Sequence, residues 1–137
     1  MIQILDSTLR EGEQTPGVSF SISQKIEIVK FLNQFGVDYI EVGHPIVSND
    51  IYSFIKIVSK LSIRSKIIAH SRLLKDDIDQ VIDLNVPWIG FFLDVREDHL
   101  ETKYRINKKK ALEMIADSIS YAKKHKLRVR FTAEDAS

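Results

Sequence analysis

Residues 2–17 read Ile2-Gln3-Ile4-Leu5-Asp6-Ser7-Thr8-Leu9-Arg10-Glu11-Gly12-Glu13-Gln14-Thr15-Pro16-Gly17, and this stretch decides between two folds. Residues 2–5 form a short apolar run that reads as a strand, and a polar, charged loop follows it. A nucleotide-binding open sheet wants a glycine-rich turn after its first strand, so that backbone amides can approach a pyrophosphate. Neither that fingerprint nor a P-loop is present. A loop dense in carboxylate, guanidinium and amide groups is what a (β/α)8 barrel sets at the C-terminal ends of its strands, where its active site is built.

Working outward, apolar or β-branched runs at 37–42, 66–70, 88–94 and 127–132 read as further strands. Segments of helical period lie between them. Ser21-Ile22-Ser23-Gln24 is a capping-box start; Ile22, Ile26, Val29 and Leu32 then share a face, and Gly36 stops the helix. A second helix starts near Ser48, with Ile51, Phe54, Ile55, Val58 and Leu61 as its stripe. A third follows Asp76-Asp77, and a fourth opens at Asn107 and ends in the cations Lys123, Lys124 and Lys126. Strand and helix alternate, which predicts an α/β fold with parallel strands and right-handed crossovers. Polar residues close each strand: Asp6, Glu41, His70, Asp94 and the series Arg130, Thr132, Glu134. The expectation is therefore one catalytic unit over residues 1–137, holding about five strands of a TIM barrel. Eight strands and about 250 residues make a whole barrel. The chain is thus expected to be truncated after its fifth strand. The alternative is a natural half-barrel without catalytic power that acts by association.

Composition excludes several other classes. The formal net charge of +1 creates no field that would draw nucleic acid or an anionic membrane, and the lysine clusters at 108–110 and 123–126 read as solvated helix faces. There are no cysteines, so a metal would have to sit on carboxylate and imidazole ligands. No basic n-region or long apolar stretch follows Met1, and the expected location is cytoplasmic.

Arg10 beside Glu11 has a bland reading as a surface ion pair worth little. The crowding of Asp6, Arg10, Glu11, Glu13 and Gln14 into one loop at the catalytic end favours chemistry. A carboxylate there can bind a hard divalent ion through oxygen, and a guanidinium can stabilise an enolate or alkoxide as charge develops. Gln14 and Glu41 could alternatively satisfy loop amides. His44 before Pro45 reads as loop architecture, His99 and His125 as surface, and Trp88, Phe91 and Phe92 as core or barrel wall.

Residues 6–14, Asp6-Ser7-Thr8-Leu9-Arg10-Glu11-Gly12-Glu13-Gln14, resemble the first-strand signature of the metal-dependent enzymes that condense an acyl-CoA with a 2-oxo acid. That family includes the isopropylmalate, citramalate and homocitrate synthases and related lyases. The resemblance continues through Ile40-Glu41-Val42-Gly43-His44-Pro45, Ala69-His70-Ser71-Arg72 and Arg130-Phe131-Thr132-Ala133-Glu134-Asp135-Ala136-Ser137, so it spans the chain. It implies a Claisen-type condensation of acetyl-CoA, the co-substrate, with a small 2-oxo acid. By this match Glu11 is a ligand of a divalent metal of the Mg, Mn or Zn class, and Arg10 is catalytic and steadies the substrate oxygen. Two further metal ligands would come from a His-x-His motif on the seventh strand. A homodimer of the full-length protein is implied as well.

Within the family, the homocitrate-forming branch resembles this chain in carrying glutamate at position 11 and histidine at position 70. The resemblance then implies 2-oxoglutarate as the 2-oxo acid, the aminoadipate route of lysine biosynthesis as the setting, and Arg10, Gln14, Glu41, His70, Arg130 and Thr132 as substrate-binding residues. His70 and Arg130 would hold the distal carboxylate, with Thr132 two positions on along the same face of its strand. One position departs from the pattern: some members carry an acidic residue on the fourth strand where this chain has Gly90.

Overall fold

The structure, a computed structural model, describes residues 2–136. Five strands, β1 (Leu5–Asp6), β2 (Tyr39–Glu41), β3 (Lys66–Ser71), β4 (Trp88–Asp94) and β5 (Arg128–Glu134), form one sheet in the order β1-β2-β3-β4-β5. Every neighbouring pair is parallel. A doubly wound sheet reverses its strand order at a switch point; here each strand simply adds to the last, as in a barrel wall. The sheet is a curled half-barrel with β1 and β5 at its open edges.

Helix α1 (Ile22–Phe35) carries the capping box in full, with Ser21 and Gln24 bonding each other's backbone amides. Gly36 closes it with φ 98°, a conformation costly for any residue with a Cβ. Ser48 caps α2 (Asn49–Val58), and Asn107 caps α5 (Lys108–Lys124). Helix α3 (Lys75–Asp83) begins before Asp76 and Asp77 rather than after them, because two carboxylates are favourable inside the first turn of a helix.

Three further features differ from expectation for local reasons. Strand β1 covers only residues 5–6; upstream, the Ile4 amide donates to the Asp38 carboxylate instead of to a strand, although the Ile4 carbonyl still accepts from Asp38 and Tyr39. Helix α4 (Glu97–Thr102) was not expected. Six residues are too few to show a periodic stripe, and only Leu100 is buried in it. Strand β5 continues past Thr132 because Ala133 and Glu134 still pair with Leu93 and Asp94.

The apolar core lies between the convex face of the sheet and the helices. Ile67 and Ala69 of β3, with Ile89 and Phe91 of β4, pack there with Val29, Phe54, Ile55, Ile78 and Val81. Each such aliphatic or aromatic side chain contributes about 2 kcal/mol of transfer free energy. Side chains alternate along a strand, so Glu41, His70, Gly90 and Arg130 fall on the concave face. On the other flank, Ile2, Ile4, Phe31 and Phe35 stay exposed on the elements nearest the open β1 edge.

Candidate active site

The concave face is organised by one carboxylate. Glu41 is only 1% exposed, and three side chains donate to it. Ser7 Oγ bonds Oε2 at 2.5 Å, His70 Nε2 lies 2.9 Å from Oε1, and Arg130 Nη1 bonds the same Oε1. A fourth group, Arg10 Nη1, stands 3.8 Å from Oε2. Burial opposes the charge of Glu41. The hydrogen bonds from His70 and Ser7, together with the charges of His70 and Arg130, outweigh it and lower the carboxyl from 4.5 to about 2. An ionised carboxylate only accepts, so Nε2 of His70 carries a proton.

The polar residues of the loop after β1 have two tasks, shaping the loop and lining a cavity. The Ser7 carbonyl accepts from the amides of Arg10, Glu11 and Gly12, which turns the chain tightly. Asp6 accepts from the Thr8 amide at 2.9 Å and its hydroxyl at 3.2 Å, and Glu13 accepts from Lys25 Nζ at 2.6 Å and from the Phe20 amide at 3.2 Å. Asp6 and Glu13 therefore hold the loop in shape and anchor it to α1. Arg10, Glu11 and Gln14 face a cavity of about 500 Å3 that Glu13, His44, Phe92 and Glu134 also line. Arg10 pairs with Glu11, sits 4.0 Å from Glu134 and lies over the Phe92 ring at 5.7 Å.

The structure brings Arg10, Glu41, His70 and Arg130 into a single connected group, with Glu11 attached through Arg10. Gln14 lines the same cavity. Thr132 follows Arg130 on the same face of β5 but makes no side-chain hydrogen bond among the described residues and does not line that cavity. His70 is 2% exposed and its Nδ1 is enclosed without a partner. Arg130 is more open, with 37% of its side chain exposed, and only Nη1 engages Glu41.

Four contributors have no site role assigned from sequence. Ser7 belonged to the quoted loop, yet nothing in its identity announces a bond to a residue 34 positions away. Glu134 had a signal: it continues the alternation of Arg130 and Thr132. In sequence His44 reads as loop architecture and Phe92 as core or barrel wall. Instead His44 packs against His70 and Phe92, with ring centroids 6.0 and 5.4 Å away, and its Nε2 is buried without a partner. Burial, and then the charge of His70, lower His44 from 6.5 to about 4, so its ring is neutral at neutral pH.

His99 is also not the unpartnered surface residue expected, because Nδ1 bonds the buried Asp94 carboxylate. With Asp135 these two form a group whose ligand atoms lie within 4.8 Å of one another. Their mutual contacts already account for the arrangement. For a hard cation, Glu11 is the better-presented oxygen donor of the main cavity: its side chain is 53% exposed, and its partner there is Arg10. The chemistry of that donor suits a divalent ion. No helix among the described residues is long and apolar enough to cross a membrane.

Comparison with known proteins agrees with this architecture. Residues 1–137 match the HMGL-like family. The chain is 52% identical over 140 residues to a homocitrate synthase of Sulfurisphaera tokodaii, covering 99% of this chain and 30% of that protein. It is 48% identical over 134 residues to a homocitrate synthase of Pyrococcus horikoshii, covering 98% and 37%. The chain thus spans about a third of the length of the curated relatives it matches. Among solved structures, a hydroxymethylglutaryl-CoA lyase from Pseudomonas aeruginosa superposes with a TM-score of 0.74 at 22% identity, over 94% of this chain and 44% of that one. An HMG-CoA lyase from Brucella melitensis gives 0.78 at 15% identity, over 95% and 47%. These two likenesses concern the fold, the first half of a barrel. The chain belongs to the HMGL-like family.

Proposed function

We propose that the full-length protein condenses acetyl-CoA with 2-oxoglutarate to form homocitrate. The observation that carries this reading is the convergence of Arg10, His70 and Arg130, from the loop after β1, from β3 and from β5, on the single buried carboxylate of Glu41. Such a constellation offers two separated cationic ends, one in the β1 loop and one on β5. A 2-oxo dicarboxylate has a reacting oxygen at one end and a distal carboxylate at the other. Sequence identity of about half to homocitrate synthases supports the choice of substrate.

Arg10 faces the cavity and stabilises the negative charge that develops on the keto oxygen as the new carbon–carbon bond forms. Arg130 keeps Nε and Nη2 for the distal carboxylate, and His70 lends the Nε2–H that Glu41 now holds. A site with these donors leaves them unpaired when a 2-oxo acid with an aliphatic tail enters, and so discriminates against it. In the reaction, the methyl carbon of the acetyl thioester loses a proton and attacks the keto carbon. Water then cleaves the thioester, releasing the CoA thiol. A divalent metal, held in this chain by Glu11, would polarise the keto group. Gln14 and Thr132 belong to the substrate side of the same proposal.

The test is an assay of the full-length protein with acetyl-CoA, 2-oxoglutarate and Mg2+ or Mn2+, following CoA thiol release and homocitrate by mass spectrometry. Homocitrate formed in step with free CoA is the expected result. Thiol release with pyruvate or 2-oxoisovalerate, and none with 2-oxoglutarate, would overturn the substrate and favour a citramalate or isopropylmalate synthase.

A further inference from the structure

Strand β4 runs between β3 and β5, and its register sets Gly90 beside His70 on one flank and beside Arg130 on the other. Two strand spacings separate His70 from Arg130, roughly 10 Å at the backbone. Yet both side chains meet on one atom, Oε1 of Glu41. Gly90 does not have positive φ, so conformation does not require glycine here. Space does. A Cβ on Gly90 would stand 3.0 Å from Nε2 of His70, 3.1 Å from Cε1 and 3.3 Å from Cδ2. The imidazole lies where a side chain of β4 would otherwise project.

We propose that Gly90 is a positioning residue of the site. The bare stretch of β4 lets the His70 ring lie across the strand, donate from Nε2 to Glu41 and share that carboxylate with Arg130. It thereby keeps Nε2 of His70 aimed at Glu41. Ala at this position would push the ring by a few tenths of an ångström or more, away from a buried partner 2.9 Å distant. Only the kinetic consequence of this inference rests on the condensation reading; the placement of His70 does not.

The test uses the full-length protein with 15N-labelled histidine. In the parent protein, the Nε2 proton of His70 is expected as a protected, downfield-shifted resonance. Gly90→Ala should shift or abolish it, and should raise KM for 2-oxoglutarate by at least about tenfold with a much smaller change in kcat. A folded Gly90→Ala protein with an unaltered His70 resonance overturns the proposal. A shifted resonance in a protein that never forms homocitrate supports the positioning role and sinks the substrate reading instead. If Gly90→Ala does not fold, the double variant His70→Ala/Gly90→Ala decides. Its stability is compared with that of His70→Ala alone: a double variant as stable as His70→Ala supports the proposal, and one less stable shows that Gly90 serves something other than His70.

Discussion

Nε2 of His70 lies 2.9 Å from Oε1 of Glu41, and both side chains are almost wholly enclosed, although they come from different strands 29 positions apart. A buried charge of this kind persists only when it is paired and hydrogen-bonded. Glu41 is therefore the group on which the geometry of the concave face depends, and the residues around it are held by it before any substrate arrives.

Replacing that charge tests its structural weight. Glu41→Gln keeps the shape but leaves Arg130 and His70 facing a neutral amide. Unfolding free energy in the full-length protein should fall by about 3 kcal/mol, read from urea denaturation at pH 7. An unmoved midpoint would show that the Glu41 contacts are weak.

Acid should act in two windows. His44 is depressed from 6.5 to about 4, so the unfolded chain takes up a proton first. Its contribution is complete above pH 6.5 and is lost as the pH falls towards 4. Glu41 is depressed from 4.5 to about 2; its contribution is complete above pH 4.5 and is lost as the pH falls towards 2. Denaturation midpoints measured across this range should decline in both windows. His44→Phe should flatten the upper one and Glu41→Gln the lower. A profile level from pH 7 to 4 contradicts the buried, neutral state of His44.

Much of this fold was legible because its signals are local. The capping box at Ser21, the stop at Gly36 and the Ser48 and Asn107 caps are each set by residues within a few positions. The polar ends of β2, β3 and β5 were readable for the same reason. What escaped reading depends on distant partners. Nothing near Ser7 indicates a bond to Glu41 34 positions away, and α4 buries too little to leave a pattern that would turn His99 back onto Asp94. Glu41 could be named as a candidate, but not as the hub, since its partners arrive from the loop after β1, from β3 and from β5.

Arg10 is the group assigned to developing charge on the substrate. Arg10→Ala should lower kcat by at least about two orders of magnitude, the usual loss for one transition-state donor. Glu41 also loses a cation 3.8 Å away, so stability should be checked in the same samples. Near-normal turnover removes Arg10 from the mechanism.

Glu11 is the oxygen donor assigned to a metal. Chelation should abolish turnover of the full-length protein, and added Mg2+ or Mn2+ should restore it. Glu11→Gln should raise the metal concentration needed for half-maximal activity by at least about tenfold, because a charged ligand becomes a neutral one. An unchanged metal requirement would take Glu11 out of the coordination sphere.

The most direct measurement is the ratio of kcat/KM for 2-oxoglutarate to that for 2-oxoisovalerate, in the full-length protein and in its Arg130→Ala variant. Pairing of the distal carboxylate by Arg130 predicts a preference of about four orders of magnitude that collapses to about tenfold or less in the variant. A ratio that is the same in both proteins would contradict the account.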